Sequence, residues 1–207
     1  MTRPELRPLT SLRGLAAWMV VLFHVRLAIA PSLAPGVMAV AGKGYLAVDF
    51  FFMLSGFVLW LNYEGRLRGG GPREWPDFIV RRLARIWPLH AAMLGVAAAL
   101  ALLLAATGRD SSAYPLAELP LHLALMQNWG FTHRLSWNDP AWSISTEFMA
   151  YLLLPLVALL IDWRRVRALL LIAAVGGLAL LLHLVFAANG ATTLGQKILQ
   201  LGVMRCL

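Results

Sequence analysis

The sequence predicts an all-α fold, a polytopic transmembrane helix bundle with about five complete spans and the start of a sixth. Three observations carry this. Apolar residues make up 60% of the 207 residues and charged residues 14%, against about 45–50% and about 25% in a soluble domain. Mean hydropathy is +0.71. The apolar residues fall in runs of membrane length, and the basic residues collect between the runs, as topology signals do. The net charge of +8 is therefore read as orientation rather than as a nucleic-acid surface. A single cysteine, Cys206, excludes an intramolecular disulfide and a cysteine-rich metal site, and no metal site is expected.

Each span has its own signals. The first runs from about residue 12 to 30 and ends at Pro31 and Pro35. It has no small-residue cleavage site and reads as a retained span. The second covers about 45–62 and carries Asp49, Ser55 and Gly56. Residues 64–86 form a polar, basic connection interrupted by three glycines at 69–71. The third span covers about 87–107, the fourth 142–161 and the fifth 168–188, with Arg164, Arg165 and Arg167 in the turn between the last two. A sixth begins near Ile198, and an apolar helix of about ten residues is too short to span. The chain therefore reads as one region, 1–207, the N-terminal portion of a longer transmembrane domain.

Residues 114–130 are apolar enough to be mistaken for another crossing. Pro115, Pro120, Glu118, His122, Gln127 and Asn128 oppose that, so a re-entrant or surface helix is expected. With the N-terminus cytoplasmic, twelve of the eighteen Lys and Arg residues fall in inside segments: Arg3, Arg7, Arg13, Arg66, Arg68, Arg73, Arg81, Arg82, Arg85, Arg164, Arg165 and Arg167.

That orientation sorts the polar residues by depth. Arg13 and His24 lie eleven positions apart on span one. On a helix this puts them roughly 20° apart around the axis and roughly 16 Å along it, on one face but out of direct reach. An ionisable group within a span is costly and marks a functional site by default. His24 is expected about six residues from the outer end of span one, level with Asp49 and Glu147 in spans two and four. A histidine level with carboxylates suggests a general base oriented by an acid. Arg13, Arg82 and Arg85 at the inner end suggest a phosphate-bearing cytoplasmic ligand.

Plainer readings stand beside these. Arg13 also suits a snorkelling anchor, His24 a packing histidine and Asp49 a cap at a span start. Ser143 and Glu147 suit the first turn of a helix, and the arginines suit lipid headgroups. Ser55 and Gly56 suit close helix contact rather than nucleophilic catalysis.

Four stretches together resemble the bacterial membrane acyltransferase-3 family: LTSLRGLAAWMVVLFH (9–24), YLAVDFFFMLSGFVLW (45–60), VRRLARIWPLH (80–90) and PAWSISTEFMAYLLLP (140–155). The resemblance implies about ten membrane helices in the bacterial inner membrane. It implies an acyl-CoA donor, often acetyl-CoA, used as co-substrate with no permanently bound cofactor. The acceptor it implies is a hydroxyl, on a carbohydrate or another envelope or secondary-metabolite molecule. His24 and Arg13 match the family's essential pair, and Asp49, Glu147, Arg82 and Arg85 match its other motif positions. His90 departs from the family, which commonly has an aromatic there.

The expected reaction is O-acylation with His24 as general base, Arg13, Arg82 and Arg85 holding the donor, and Glu147 or Asp49 orienting His24 or binding the acceptor. A covalent acyl-histidine stays open. The alternative is a transporter or flippase using His24, Asp49 and Glu147 as a proton relay.

Overall fold

The computed structural model describes residues 7–132, 134–161 and 165–188. Among them the regular structure is helical, with no strand. Five long helices stand where five spans are expected: α1 (Arg7–Val25), α3 (Leu46–Gly70), α4 (Trp75–Ala106), α6 (Trp142–Leu160) and α7 (Ala168–Ala188), with short α2 (Pro35–Gly42) and α5 (Leu119–Leu123) between them. The expected sixth span lies outside the described residues.

Among the described residues, three helical stretches are long and apolar enough to cross a membrane: Pro35–Ala106, Asp139–Leu160 and Ala168–Val185. Ser11–Val25 is a shorter apolar helix. The first stretch has 72 residues. A straight helix of that length would reach roughly 108 Å, several times the ~30 Å hydrocarbon core. It is divided near Gly71, whose positive φ of 61° suits a residue without Cβ.

The chain forms two compact units, Met1–Asn62 and Tyr63–Leu207. In the first, Gly44 marks the closest approach. A Cβ there would sit 2.3 Å from the Met19 carbonyl oxygen and 2.8 Å from Phe23 Cβ. Tyr45 meets the Phe23 ring edge-on at 6.0 Å. The packed side of α1 is thus Arg13, Ala16, Val20 and Phe23, spaced three and four apart as one helical face requires.

Helix α1 ends at Val25, five residues earlier than the apolar run suggests. Arg26 turns back, lies over the Phe23 ring at 3.9 Å and donates to the Phe23 carbonyl. A cation there meets the negative end of the helix, so the helix stops while the sequence stays apolar.

In the second unit, α4 starts twelve residues before the expected span. Pro76 sits in its opening positions and Asp77 in its first turn, both favourable at a helix start. Phe78, Arg82 and Ile86 then recur at i, i+4 and i+8 on one sheltered face, so a charged stretch is helical by amphipathicity. The helix closes with Gly108 at φ 65°. The Gly108 and Arg109 amides bond the Ala105 and Leu104 carbonyls at 3.2 and 2.8 Å, a Schellman ending. Arg68 caps α6 from a distance, donating to the Ile161 carbonyl at 2.6 Å and the Ala158 carbonyl at 3.4 Å.

The connection between α4 and α6 corrects the expectation of a re-entrant or surface helix. Within residues 114–130 only a 3-10 turn at Leu116–Glu118 and α5 are helical, and a second 3-10 turn at Asp139–Ala141 leads into α6. His122, Leu125, Gln127, Asn128, Thr132, Ser136 and Trp137 are buried. The segment is folded inward by individual hydrogen bonds rather than by an amphipathic stripe.

Candidate active site

In the first unit, Arg13 and His24 share the uninterrupted helix α1, as expected, and Asp49 lies in the first turn of α3. Arg13 is half-buried. His24 is exposed and stands one residue from the end of α1, rather than the six expected, because Arg26 terminates the helix at Val25. Its Nδ1 lies 2.8 Å from the Val20 carbonyl oxygen. A carbonyl only accepts, so Nδ1 carries the proton in this bond, which leaves Nε2 as the nitrogen able to accept a proton whenever the ring is neutral. The Phe23 ring meets His24 edge-on at 5.4 Å. Backbone and a neighbouring aromatic therefore set the tautomer and orientation, a task the sequence suggests for a carboxylate.

The remaining candidates belong to the second unit. Glu147 is half-buried on α6 and accepts a 2.6 Å hydrogen bond from the Tyr151 hydroxyl one turn on. Ser143 does not cap α6; its hydroxyl donates to the Pro140 carbonyl at 3.0 Å. Arg82 donates to the Tyr63 hydroxyl at 2.6 Å, with its guanidinium 4.9 Å from the Tyr63 ring and 6.0 Å from Phe78. Arg85, one turn further, is exposed. Arg81 pairs with Asp77 at 2.9 Å, and Arg66 with Glu74 at 2.7 Å. Arg66, Arg81 and Arg82 of the basic stretch are thus engaged within the protein, whereas Arg73 and Arg85 are exposed.

Sequence reasoning missed a buried polar network next to Glu147. Ser145 Oγ donates to the Leu125 carbonyl at 2.7 Å and accepts the Asn128 N–H at 3.1 Å. Asn128 Nδ2 donates to Thr146 Oγ1 at 2.7 Å, and Trp129 Nε1 to the Ser145 carbonyl at 3.1 Å. Gln127 Nε2 donates to the Ala141 carbonyl at 3.0 Å. Polar Gln127 and Asn128 in an apolar stretch were the available signal; their partners, fourteen or more positions away, were not.

A second chain of bonds runs through two histidines. His90 Nε2 donates to the His122 carbonyl at 2.8 Å. Ser136 Oγ donates to Glu118 at 2.6 Å and lies 3.0 Å from His122 Nε2, which is therefore the donor to it. Burial pushes the His122 imidazole down to about 4; Glu118 opposes this and His90 adds to it. A neutral, buried His122 serves as a structural pin. Among the described residues, no group of three or more His, Cys, Asp or Glu side chains is placed to hold a metal ion.

Fold and residues together define a helical membrane protein with ionisable groups on its long helices. Residues 9–203 match the family model described as an acyltransferase domain, and the chain belongs to the acyltransferase-3 family. It is 31% identical over 157 residues to Acyltransferase MdmB of Streptomyces mycarofaciens, an alignment covering 73% of this chain and 39% of that relative. The chain thus spans well under half of the relative's length. No solved structure matches it.

Proposed function

We propose that this chain is part of an integral-membrane O-acyltransferase. It transfers an acyl group, acetyl in the simplest case, from acyl-CoA to a hydroxyl of a carbohydrate or another envelope or secondary-metabolite acceptor. The observation that carries this reading is the His24 ring: Nδ1–H is engaged by the Val20 carbonyl, so Nε2 is the nitrogen left for proton transfer, on the same helix as Arg13. In the reaction the acceptor oxygen attacks the thioester carbonyl while His24 Nε2 takes its proton. The C–S bond breaks, and the CoA thiolate departs and is protonated.

Arg13 and Arg85 hold donor phosphates at the cytoplasmic face of a bacterial inner membrane, with the N-terminus on that side. Arg82, engaged with Tyr63, shapes that region. Asp49 and Glu147 bind the acceptor. The roughly 16 Å between Arg13 and His24 suits a long pantetheine arm running between helices. Membership of a family described by acyl transfer supports this reading over a proton-relay transporter.

The test uses membranes containing the full-length protein and [14C]acetyl-CoA, following label into acceptors and release of CoA thiol. His24→Ala should lower transfer about 10²–10⁴-fold, the usual worth of a positioned base. Wild-type transfer by normally expressed His24→Ala would end the assignment, and substrate movement without thiol release would favour transport.

A further inference from the structure

Tyr151 stands four residues after Glu147 on α6, with its hydroxyl donating to Glu147 Oε1 at 2.6 Å. At that spacing the two side chains share a helix face. The length is that of a short, well-formed O–H···O hydrogen bond. The tyrosine is 3% exposed. Its ring is met edge-on by Phe78 at 6.3 Å, and Phe78, itself 2% exposed, is met by Tyr63 at 4.9 Å. Tyr63 receives the Arg82 hydrogen bond. One continuous run of side chains thus joins Arg82 in the basic stretch to Glu147 in the WSISTE stretch.

We propose that Tyr151 is a positioning residue for acyl transfer, fixing the Glu147 carboxylate through its hydroxyl while Phe78 and Tyr63 brace its ring against Arg82. This rests on the reading that Glu147 takes part in that reaction. With Oε1 tied to a ring that cannot rotate freely, the carboxylate keeps one rotamer before substrate arrives. A phenylalanine would fill the same space, so packing alone does not call for the hydroxyl.

The experiment follows label from [14C]acetyl-CoA into acceptors in membranes holding the full-length protein. Tyr151→Phe should lower kcat about 10-fold or more, the worth of one hydrogen bond to a charged group, with the KM for acetyl-CoA unchanged. Glu147→Gln should lower kcat further, and Tyr151→Phe should add nothing to it, because the two act as one unit. Phe78→Leu, which keeps the hydroxyl but loosens the ring, should give a smaller loss in kcat with the same unchanged KM. Wild-type kcat in Tyr151→Phe, or losses that multiply with those of Glu147→Gln, would overturn the role of Tyr151 and leave acyl transfer standing. Full kcat in Glu147→Gln would remove Glu147 from the reaction and Tyr151 with it.

Discussion

Ser145 Oγ donates to the Leu125 carbonyl at 2.7 Å, and Leu125 sits in the left-handed region at φ 58°. The same oxygen accepts the Asn128 amide, so one hydroxyl closes both ends of a buried turn. A leucine pays for positive φ with about 1–2 kcal/mol, and the turn persists because the hydroxyl satisfies both backbone groups. Ser145→Ala should strand a buried N–H and a buried C=O. The expected cost is about 2–4 kcal/mol, read as a lower unfolding temperature of the detergent-solubilised protein. An unchanged unfolding temperature would show that the turn is held otherwise.

The connection should loosen in acid. His122 keeps its imidazole neutral down to about 4 in the folded state, below its ordinary 6.5. Between those values the unfolded chain binds a proton that the folded chain does not. Stability therefore falls as pH drops from about 6.5 to about 4, by at most about 3 kcal/mol at 1.36 kcal/mol per unit. Amide exchange in residues 113–137, corrected for the intrinsic rate, should speed up over that window, and His122→Asn should flatten the dependence.

Gly44→Ala should damage the first unit. The added methyl meets a backbone oxygen at 2.3 Å, and a backbone atom cannot swing aside as a side-chain tip does. Overpacking of this kind costs about 1–3 kcal/mol. Loss of folded protein on size exclusion or in thermal melts checks it. Gly56→Ala, where nothing lies within 4 Å of the new atom, is the matched control.

Arg82 and Arg85 should separate by phenotype. Arg82→Lys removes the planar group stacked on Tyr63 and Phe78 and should lower thermal stability by about 1 kcal/mol. Arg85 is exposed, so Arg85→Ala should leave stability alone and raise the KM for acetyl-CoA severalfold. Identical melting curves for wild type and Arg82→Lys would contradict the first half, and an unmoved KM in Arg85→Ala the second.

The long helices were legible because membrane-length apolar runs leave few other folds open. Their ends were less so. Arg26 stops α1 through one ring contact and one carbonyl, and no hydropathy pattern encodes that. The start of α4 was hidden because its charged residues read as a loop until Phe78, Arg82 and Ile86 are seen on one face. For the candidate site, the residue types were legible and the supporting contacts were not. Val20 orients His24 through its backbone, which carries no side-chain signature. Ser145 and Thr146, inside the WSISTE stretch, hold up a turn about twenty positions away. Glu147 stands beside them on the same turn of α6, so that stretch mixes structural residues with the candidate acid.

The connection between α4 and α6 grips both helices. Trp87 and His90 bond to its Leu123 and His122 carbonyls, while its Gln127, Asn128 and Trp129 bond to Ala141, Ser145 and Thr146. Joined this way, α4 near Trp87 and the N-terminal end of α6 are held together through the connection. Any movement that separates α4 from α6 must first break these bonds.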